Sequence, residues 1–185
     1  GNFDIHYSIT PLSTLDGQNI GSVIVIQDVT ESRKMLRQLS YSASHDALTH
    51  LANRVSFENH LKRLLQTVQE TRQRHALVFI DLDRFKAVND SYGHASGDLL
   101  LVEVARRLRD IVRGEDVVAR LAGDEFVLIL RYVRDLAELR AALNRVLGTI
   151  SVPYSVHGKD INVYASIGVT LLSVLGTIVR SIRRL

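Results

Sequence analysis

Four acidic residues stand at two points of the sequence where a strand is expected to end or turn. Asp81 and Asp83 close the apolar run ALVFIDLD, and Asp124 and Glu125 occupy a tight turn between two further apolar runs. Neighbouring strands would bring these carboxylates together. Crowded carboxylates raise one another's pKa, and their oxygen atoms suit Mg²⁺. The pattern favours a divalent-metal site, with strand-end solubility and ordinary Gly-Asp turn chemistry as the alternative.

A second polar group follows the first acidic pair. Asn89 and Asp98 together can meet the donor and acceptor edges of guanine, and Lys86 can contact a phosphate. Gly93 and Gly97 free the segment between them for close backbone approach. These residues predict a nucleotide beside the metal.

Helices and strands must position these groups. Apolar residues at intervals of three and four over 57–68, 100–111 and 136–146 predict amphipathic helices. ALVFIDLD reads as a buried central strand, and residues 117–130 read as a hairpin that bends at the second acidic pair. Residues 87–98 are expected to form a loop. A last hairpin is expected from strands at 152–156 and 161–170.

The order of these elements favours an α/β (α+β) sandwich with a mixed, mainly antiparallel central sheet flanked by helices. Before it, alternating apolar residues on either side of Asp16-Gly17 predict a β-hairpin. Residues 31–45 predict a linker helix, which is either a short connection or a signalling coiled coil. We therefore expect three segments: 1–30, 31–45 and 46–185.

The amino-acid composition excludes several classes of protein. The 185 residues are 46% hydrophobic and 23% charged, which is typical of a packed protein and not of a disordered one. No cysteine is present, which excludes disulfides and thiolate chemistry. The net charge of +3 selects no ligand, and without a basic groove carrying stacking aromatics we expect no nucleic-acid partner. No apolar run of about 18 residues occurs, so we expect a cytoplasmic location, with membrane or sensor regions allowed upstream in a longer parent protein.

The motifs DALTHLANR, FIDLDRFKAVNDSYGHASGDLLL and ARLAGDEFVLIL resemble the three ordered signatures of the GGDEF diguanylate cyclase family, over residues 46 to about 171. The resemblance implies a nucleotidyl-cyclase, palm-like fold. It also implies a regulated homodimer that condenses two GTP molecules into cyclic di-GMP and pyrophosphate with Mg²⁺ or Mn²⁺. The segment GSVIVIQDVTESR is similar to the end of a PAS sensor domain.

Residue roles follow from the same resemblance. Asp81 and Asp124 would ligate the metal together with the Leu82 carbonyl, and Glu125 would assist a second metal or the attacking 3′-hydroxyl. The implied catalytic residues are thus Asp81, Asp124 and Glu125. The implied substrate-binding residues are Asn89 and Asp98 for guanine, Lys86 for phosphate, and Gly123, which lets the turn approach the nucleotide.

A further site is implied by Arg113 and Asp116, an RxxD pattern shortly before the AGDEF turn. In the family this pattern binds cyclic di-GMP as a feedback inhibitor, with arginine suited to guanine and phosphate. The alternative is an exposed ion pair on a loop.

The chain departs from the family pattern at three places. Ala122 stands where the first motif glycine is usual, and His50 replaces a glycine, which puts the local turns in question. After SIGVTLL the chain reads SVLGTIVRSIRRL instead of a polar loop and a final helix carrying AMYxAK. Arg180, Arg183 and Arg184 are the available replacements for its phosphate contacts.

Two other functions remain open. One is a catalytically inactive GGDEF module that binds GTP or cyclic di-GMP and regulates an attached domain such as an EAL phosphodiesterase. The other is a nucleic-acid polymerase palm, which shares the acidic two-metal chemistry.

Overall fold

The computed structural model describes residues 3–173 and the backbone of residues 176–182. The chain divides into two units, Gly1–Ser42 and Ala43–Leu185. Within the described ranges, no helix combines the length and the apolar character needed to cross a bilayer.

The first unit is a hairpin followed by a helix. Strands β1 (Ile5–Ser13) and β2 (Asn19–Asp28) pair antiparallel, as the alternating apolar pattern predicts, and Gly17 supplies the positive φ of 82° that the connecting turn requires. Helix α1 (Thr30–Ser44) begins in this unit. Asp4, just before β1, pairs with Arg33 of α1 at 3.5 Å.

The second unit contains four more helices and seven more strands in the described residues. The helices are α2 (Arg54–Thr71), α3 (Phe85–Tyr92), α4 (His94–Ile111) and α5 (Leu136–Ile150). The strands are β3 (His75–Asp83), β4 (Val117–Ala122), β5 (Glu125–Leu130), β6 (Tyr154–Val156), β7 (Lys159–Ile161), β8 (Tyr164–Ser173) and β9 (Gly176–Ile182).

Five of these strands form one sheet in the order β4-β5-β3-β8-β9. β3 lies at the centre, where Val78 pairs with Leu128 of β5 and Val169 of β8. All four pairings are antiparallel, while an isolated bridge from Ala52 to Ala119 of β4 is parallel. The predicted mixed, mainly antiparallel sheet is confirmed.

Helices cover both faces of this sheet because β3 alternates its apolar side chains between them. Val78 and Ile80 belong to a cluster with Leu100 and Val104 of α4. On the other face, Leu77 packs in a cluster with side chains of α2. The sandwich therefore holds the central strand rigidly up to its acidic end.

Two sequence expectations are wrong in detail. Residues 87–98 do not form a loop but belong to α3 and α4, which meet at Gly93. Gly93 has φ 83°, a backbone conformation that lets two helices join through one residue. The expected last hairpin is also divided: β6 pairs with the short strand β7, and β8 instead pairs with β3.

Candidate functional site

The acidic residues of the two motifs meet where β3 ends beside the β4–β5 turn. Asp81 lies directly opposite Glu125 in the β3–β5 ladder. The Leu82 amide donates to the Asp124 carbonyl at 3.4 Å, so the turn lies against the next residue of β3. Asp83 accepts a hydrogen bond from the Ser166 hydroxyl at 2.8 Å. Asp81, Asp124 and Glu125 are thus brought together, as their spacing predicts.

The turn that carries Asp124 depends on one glycine. Gly123 has φ 45°, in the left-handed region that a residue with a Cβ adopts only at a cost. A methyl group at Gly123 would meet no atom within 4 Å, so the requirement concerns backbone conformation and not space. Ala122 is the last residue of β4 and is not among the residues of positive φ, so its methyl group is compatible with this turn. His50, by contrast, has φ 56°, a left-handed conformation that suits the glycine implied there by the family resemblance.

The acidic cluster is electrostatically unfavourable without a cation. Partial burial raises the pKa of Asp81, and the nearby charges of Asp124, Asp83 and Glu125 raise it further. The donors are all oxygen atoms, which is the chemistry that Mg²⁺ prefers. Among the described residues, no three His, Cys, Asp or Glu side chains are arranged as a complete metal cage. One or two carboxylates with open positions fit Mg²⁺, which commonly takes its remaining ligands from substrate phosphates and water.

The α3–α4 junction holds the residues expected to bind guanine. The Asn89 carbonyl accepts a hydrogen bond from the Gly93 amide at 2.8 Å, and its side-chain amide lies against Gly97, where a Cβ would collide with Oδ1. Asp98 follows Gly97 directly, so the structure brings Asn89 and Asp98 to one junction. Lys86 lies exposed in the first turn of α3.

Arg113 and Asp116 lie at the other end of β4 from the acidic turn. A six-residue strand separates the two places, which corresponds to roughly 20 Å. The alternative interpretation, an exposed ion pair between these two side chains, is not among the described contacts. Asp116 accepts from the amides of Arg113 and Arg131 at 3.0 and 2.8 Å, while the Arg113 guanidinium donates to Glu138 at 2.9 Å. Hydrogen bonds from the Arg134 amide and from both arginine side chains lower the pKa of Glu138 to about 2.

Sequence reasoning missed a link between the first and third motifs. The Arg120 side chain donates from Nε to the Gly123 carbonyl at 2.8 Å and from a terminal nitrogen to Asp46 at 2.9 Å. Asp46 belongs to the DALTHLANR motif, but nothing in its spacing shows that it reaches a residue 74 positions later. The only available signal was that both residues stand inside motifs.

An open cleft of about 910 Å³ was also missed. Asp83 and Arg84 line it at the end of β3, and Tyr92 of α3 and Tyr164 of β8 lie across it. The sequence did not show this cleft because residues 161–170 were predicted as one strand, whereas β7 ends at Ile161 and β8 begins at Tyr164.

Comparison with known proteins agrees with this geometry. The profile of the family described as diguanylate cyclase, GGDEF domain, matches residues 43–183. The chain belongs to this family. The GGDEF domain therefore accounts for the second unit, and the polymerase alternative loses its support.

Individual relatives show the same similarity. The chain is 62% identical over 173 residues to a probable diguanylate cyclase, DgcE of Escherichia coli. The matched region covers 93% of this chain but only 16% of the length of that protein. A solved GGDEF domain of TpbB (YfiN) from Pseudomonas aeruginosa has a TM-score of 0.66 at 40% identity, covering 69% of this chain and 74% of that one. The coiled coil and GGDEF domain of DgcB from Caulobacter crescentus, solved with cyclic di-GMP, has a TM-score of 0.72 at 26% identity, covering 78% of each chain.

Proposed function

We propose that this GGDEF domain is a diguanylate cyclase that condenses two GTP molecules into cyclic di-GMP and pyrophosphate. The observation that carries the proposal is the placement of Asp81 opposite Glu125 and beside the Asp124 turn. This is a cluster of carboxylates at the end of a buried strand, which is electrostatically costly and suited to a divalent cation.

Asp81, Asp124 and the Leu82 carbonyl would hold the metal, and Glu125 would serve a second metal or the attacking hydroxyl. When bound, Mg²⁺ or Mn²⁺ would neutralise the triphosphate and lower the pKa of a ribose 3′-hydroxyl. The 3′-oxygen of one GTP attacks the α-phosphorus of the other, a P–O bond forms, and pyrophosphate leaves.

The chain's own side chains would orient the nucleotide. Asn89 and Asp98 would bind the guanine edge; the Asn89 side chain lies against Gly97, the residue before Asp98, which supports this role. Lys86, exposed in the first turn of α3, would contact a phosphate. Gly123 keeps the acidic turn free of a side chain. Because both substrates are GTP, two copies of the domain must face each other, each orienting one nucleotide. We therefore propose a homodimer.

The regulatory regions belong to the same proposal. Residues 1–30 would be the end of a PAS-like sensor domain, residues 31–45 a signalling linker helix, and residues 46–185 the GGDEF domain. Arg113 and Asp116 would bind cyclic di-GMP as a feedback inhibitor. Because Arg113 is bound to Glu138, cyclic di-GMP at this site would compete with Glu138 for the guanidinium.

One observation favours a second candidate, an inactive module that binds GTP or cyclic di-GMP and regulates an attached domain. Residues Gly176–Ile182 form strand β9, whereas the family resemblance implies a polar loop and a final helix in this region. The side chains of Arg180, Arg183 and Arg184, named as replacements for that helix's contacts, lie outside the described ones.

Turnover separates the two candidates. The chain incubated with GTP and Mg²⁺ should form cyclic di-GMP, and Asp124→Asn should abolish product while leaving the fold intact, because the substitution removes one charge from an exposed turn. Arg106→Ala, which removes an exposed charge on α4, is the matched control and should retain activity. Tight GTP binding without product in the unsubstituted chain would support the inactive module instead.

A further inference from the structure

The β4–β5 turn is held from two sides. On one side, the Leu82 amide of β3 donates to the Asp124 carbonyl. On the other, Arg120 Nε donates to the Gly123 carbonyl at 2.8 Å. The β4–β5 ladder is irregular between Arg120 and Ala122, so strand pairing does not fix this part of the turn by itself. The Arg120 side chain thus supplies a restraint that the ladder lacks.

Arg120 is in turn held by Asp46. Their side chains are 2.9 Å apart and only 11% and 25% exposed, so solvent screens the pair weakly. Asp46 is itself fixed, because its Oδ1 also accepts from the amide and hydroxyl of Thr49 at 2.8 and 2.7 Å. A charge-assisted hydrogen bond between partly buried groups is a strong one. The Arg120 guanidinium therefore has one defined position.

Asp46 comes two residues after the end of α1. The segment from Ala43 onward closes on itself: the Asn53 amide donates to the Ser44 carbonyl at 3.0 Å, and its side chain donates to the Ala43 carbonyl at 3.0 Å. The Arg120 amide donates to the Ala52 carbonyl at 2.9 Å. A displacement of the segment that follows α1 therefore moves the group that holds Arg120.

We propose that Arg120 is a positioning residue for the turn that carries Asp124 and Glu125, and that Asp46 makes this positioning depend on the segment that follows α1. The catalytic consequence of this inference rests on the proposed function. The mechanical link, by which we mean the hydrogen bonds from Arg120 to Asp46 and to the Gly123 carbonyl, concerns the fold alone. Arg120 touches no reacting atom in this role. It acts through the Gly123 carbonyl.

Amide hydrogen exchange tests the mechanical link without any ligand. In Arg120→Gln and in Asp46→Asn, amides of residues 123–126 should exchange at least about tenfold faster than in the unsubstituted chain, because a charge-assisted restraint is lost. Arg106→Ala removes an arginine of α4 that is 59% exposed and pairs with Glu103 and Asp110 on the same helix, and should leave these amides unchanged. Exchange at the unsubstituted rate in Arg120→Gln would overturn the inference. If Arg120→Gln does not fold, Arg120→Lys decides in the same way, since lysine cannot reach both acceptors with the geometry of a guanidinium.

Kinetics then test the consequence for the reaction. Folded Arg120→Gln and Asp46→Asn should each lower kcat about 10- to 100-fold, the usual effect of losing an outer support of a metal site, with a smaller change in KM for GTP. The double variant should be no worse than Arg120→Gln alone, because Asp46 acts through Arg120. Independent, multiplicative losses would overturn the link. An unsubstituted chain that makes no cyclic di-GMP would refute the proposed function, while the exchange experiment would still decide the link.

Discussion

Asp81 is a proposed metal ligand whose negative charge destabilises the folded chain. Its pKa is raised by burial and by three neighbouring carboxylates. A carboxyl whose pKa is higher in the folded chain than in the unfolded chain destabilises the fold at any pH above both values. At neutral pH, without a cation, the charge on Asp81 therefore opposes folding.

Asp81→Asn should consequently raise the thermal unfolding midpoint in the presence of a chelator. Adding Mg²⁺ and GTP should stabilise the unsubstituted chain but not the variant, because the variant lacks the proposed ligand. Asp110→Asn removes the same charge from an exposed ion pair on α4 and should give no gain. A lower midpoint for Asp81→Asn in chelator would show that the carboxylate is stabilised by a group other than a metal.

Arg72 adopts a left-handed backbone conformation, which is costly for a residue that has a Cβ. It follows α2 with φ 56° and ψ 16°, and its amide donates to the Val68 carbonyl at 3.2 Å. Helices commonly end on glycine in this conformation because a Cβ is disfavoured there. Arg72→Gly should be about 1 kcal/mol more stable than Arg72→Ala, which keeps the Cβ. Urea unfolding of both variants measures the difference, and equal stabilities would contradict the assignment of strain.

At the scale of elements, the connection between α4 and β4 carries the candidate inhibitory site. Its residue Arg113 is bound to Glu138 of α5, and Arg134 binds the same carboxylate at 3.2 Å. The two arginines thus share a structural partner but only Arg113 belongs to the RxxD pattern.

This pair provides a matched test of inhibition. Arg113→Ala should raise the concentration of cyclic di-GMP needed for half-inhibition at least about tenfold, the usual loss for a bidentate guanine contact. Arg134→Ala should leave it near the unsubstituted value. Equal effects of the two substitutions would mean that Arg113 acts only by holding Glu138.

Sequence periodicity predicted most elements because their positions in the sandwich follow directly from where apolar side chains lie. Leu100, Val104 and Leu108 of α4 are all fully buried, as their spacing of four requires. α3 was read as a loop because its polar residues and the glycine after it are typical of loops. Its helical form depends on Phe85 and Val88 being buried against the rest of the core, which local sequence does not show.

The same distinction applies to the candidate site. Asp81, Asp124 and Glu125 were predictable because each ends a recognisable strand or turn. The contact between Asp46 and Arg120 was not, because it depends on how two distant segments meet beside the edge strand β4. Candidate catalytic residues in short motifs can be recognised in a sequence, whereas the residues that position them are brought into contact only by tertiary packing.

At the scale of the whole molecule, the pair Asp46–Arg120 links stability to pH. Burial opposes the ionisation of Asp46, but hydrogen bonds from Thr49 and the charge of Arg120 outweigh it and lower its pKa. A carboxyl with a lowered pKa in the folded chain contributes stability above its unfolded pKa, and this contribution is lost as pH falls through the folded value.

Asp46→Asn should therefore destabilise the chain by a constant amount between pH 7 and pH 5, and by less below about pH 4, where the unfolded carboxyl begins to take up a proton. Urea unfolding of both chains across this range measures the change. A difference that stays the same down to about pH 3 would show that the charge of Asp46 does not stabilise the fold.

The hairpin of β1 and β2 exposes the backbone along the outer edge of each strand. Every residue of both strands is exposed, and the described chain places no third strand beside them. Each strand therefore offers a free row of backbone donors and acceptors, flanked by large apolar side chains such as Ile24 and Ile26. Such an edge is a template for strand addition by another molecule. Concentrated samples of these 185 residues should self-associate into β-rich aggregates through this end of the chain.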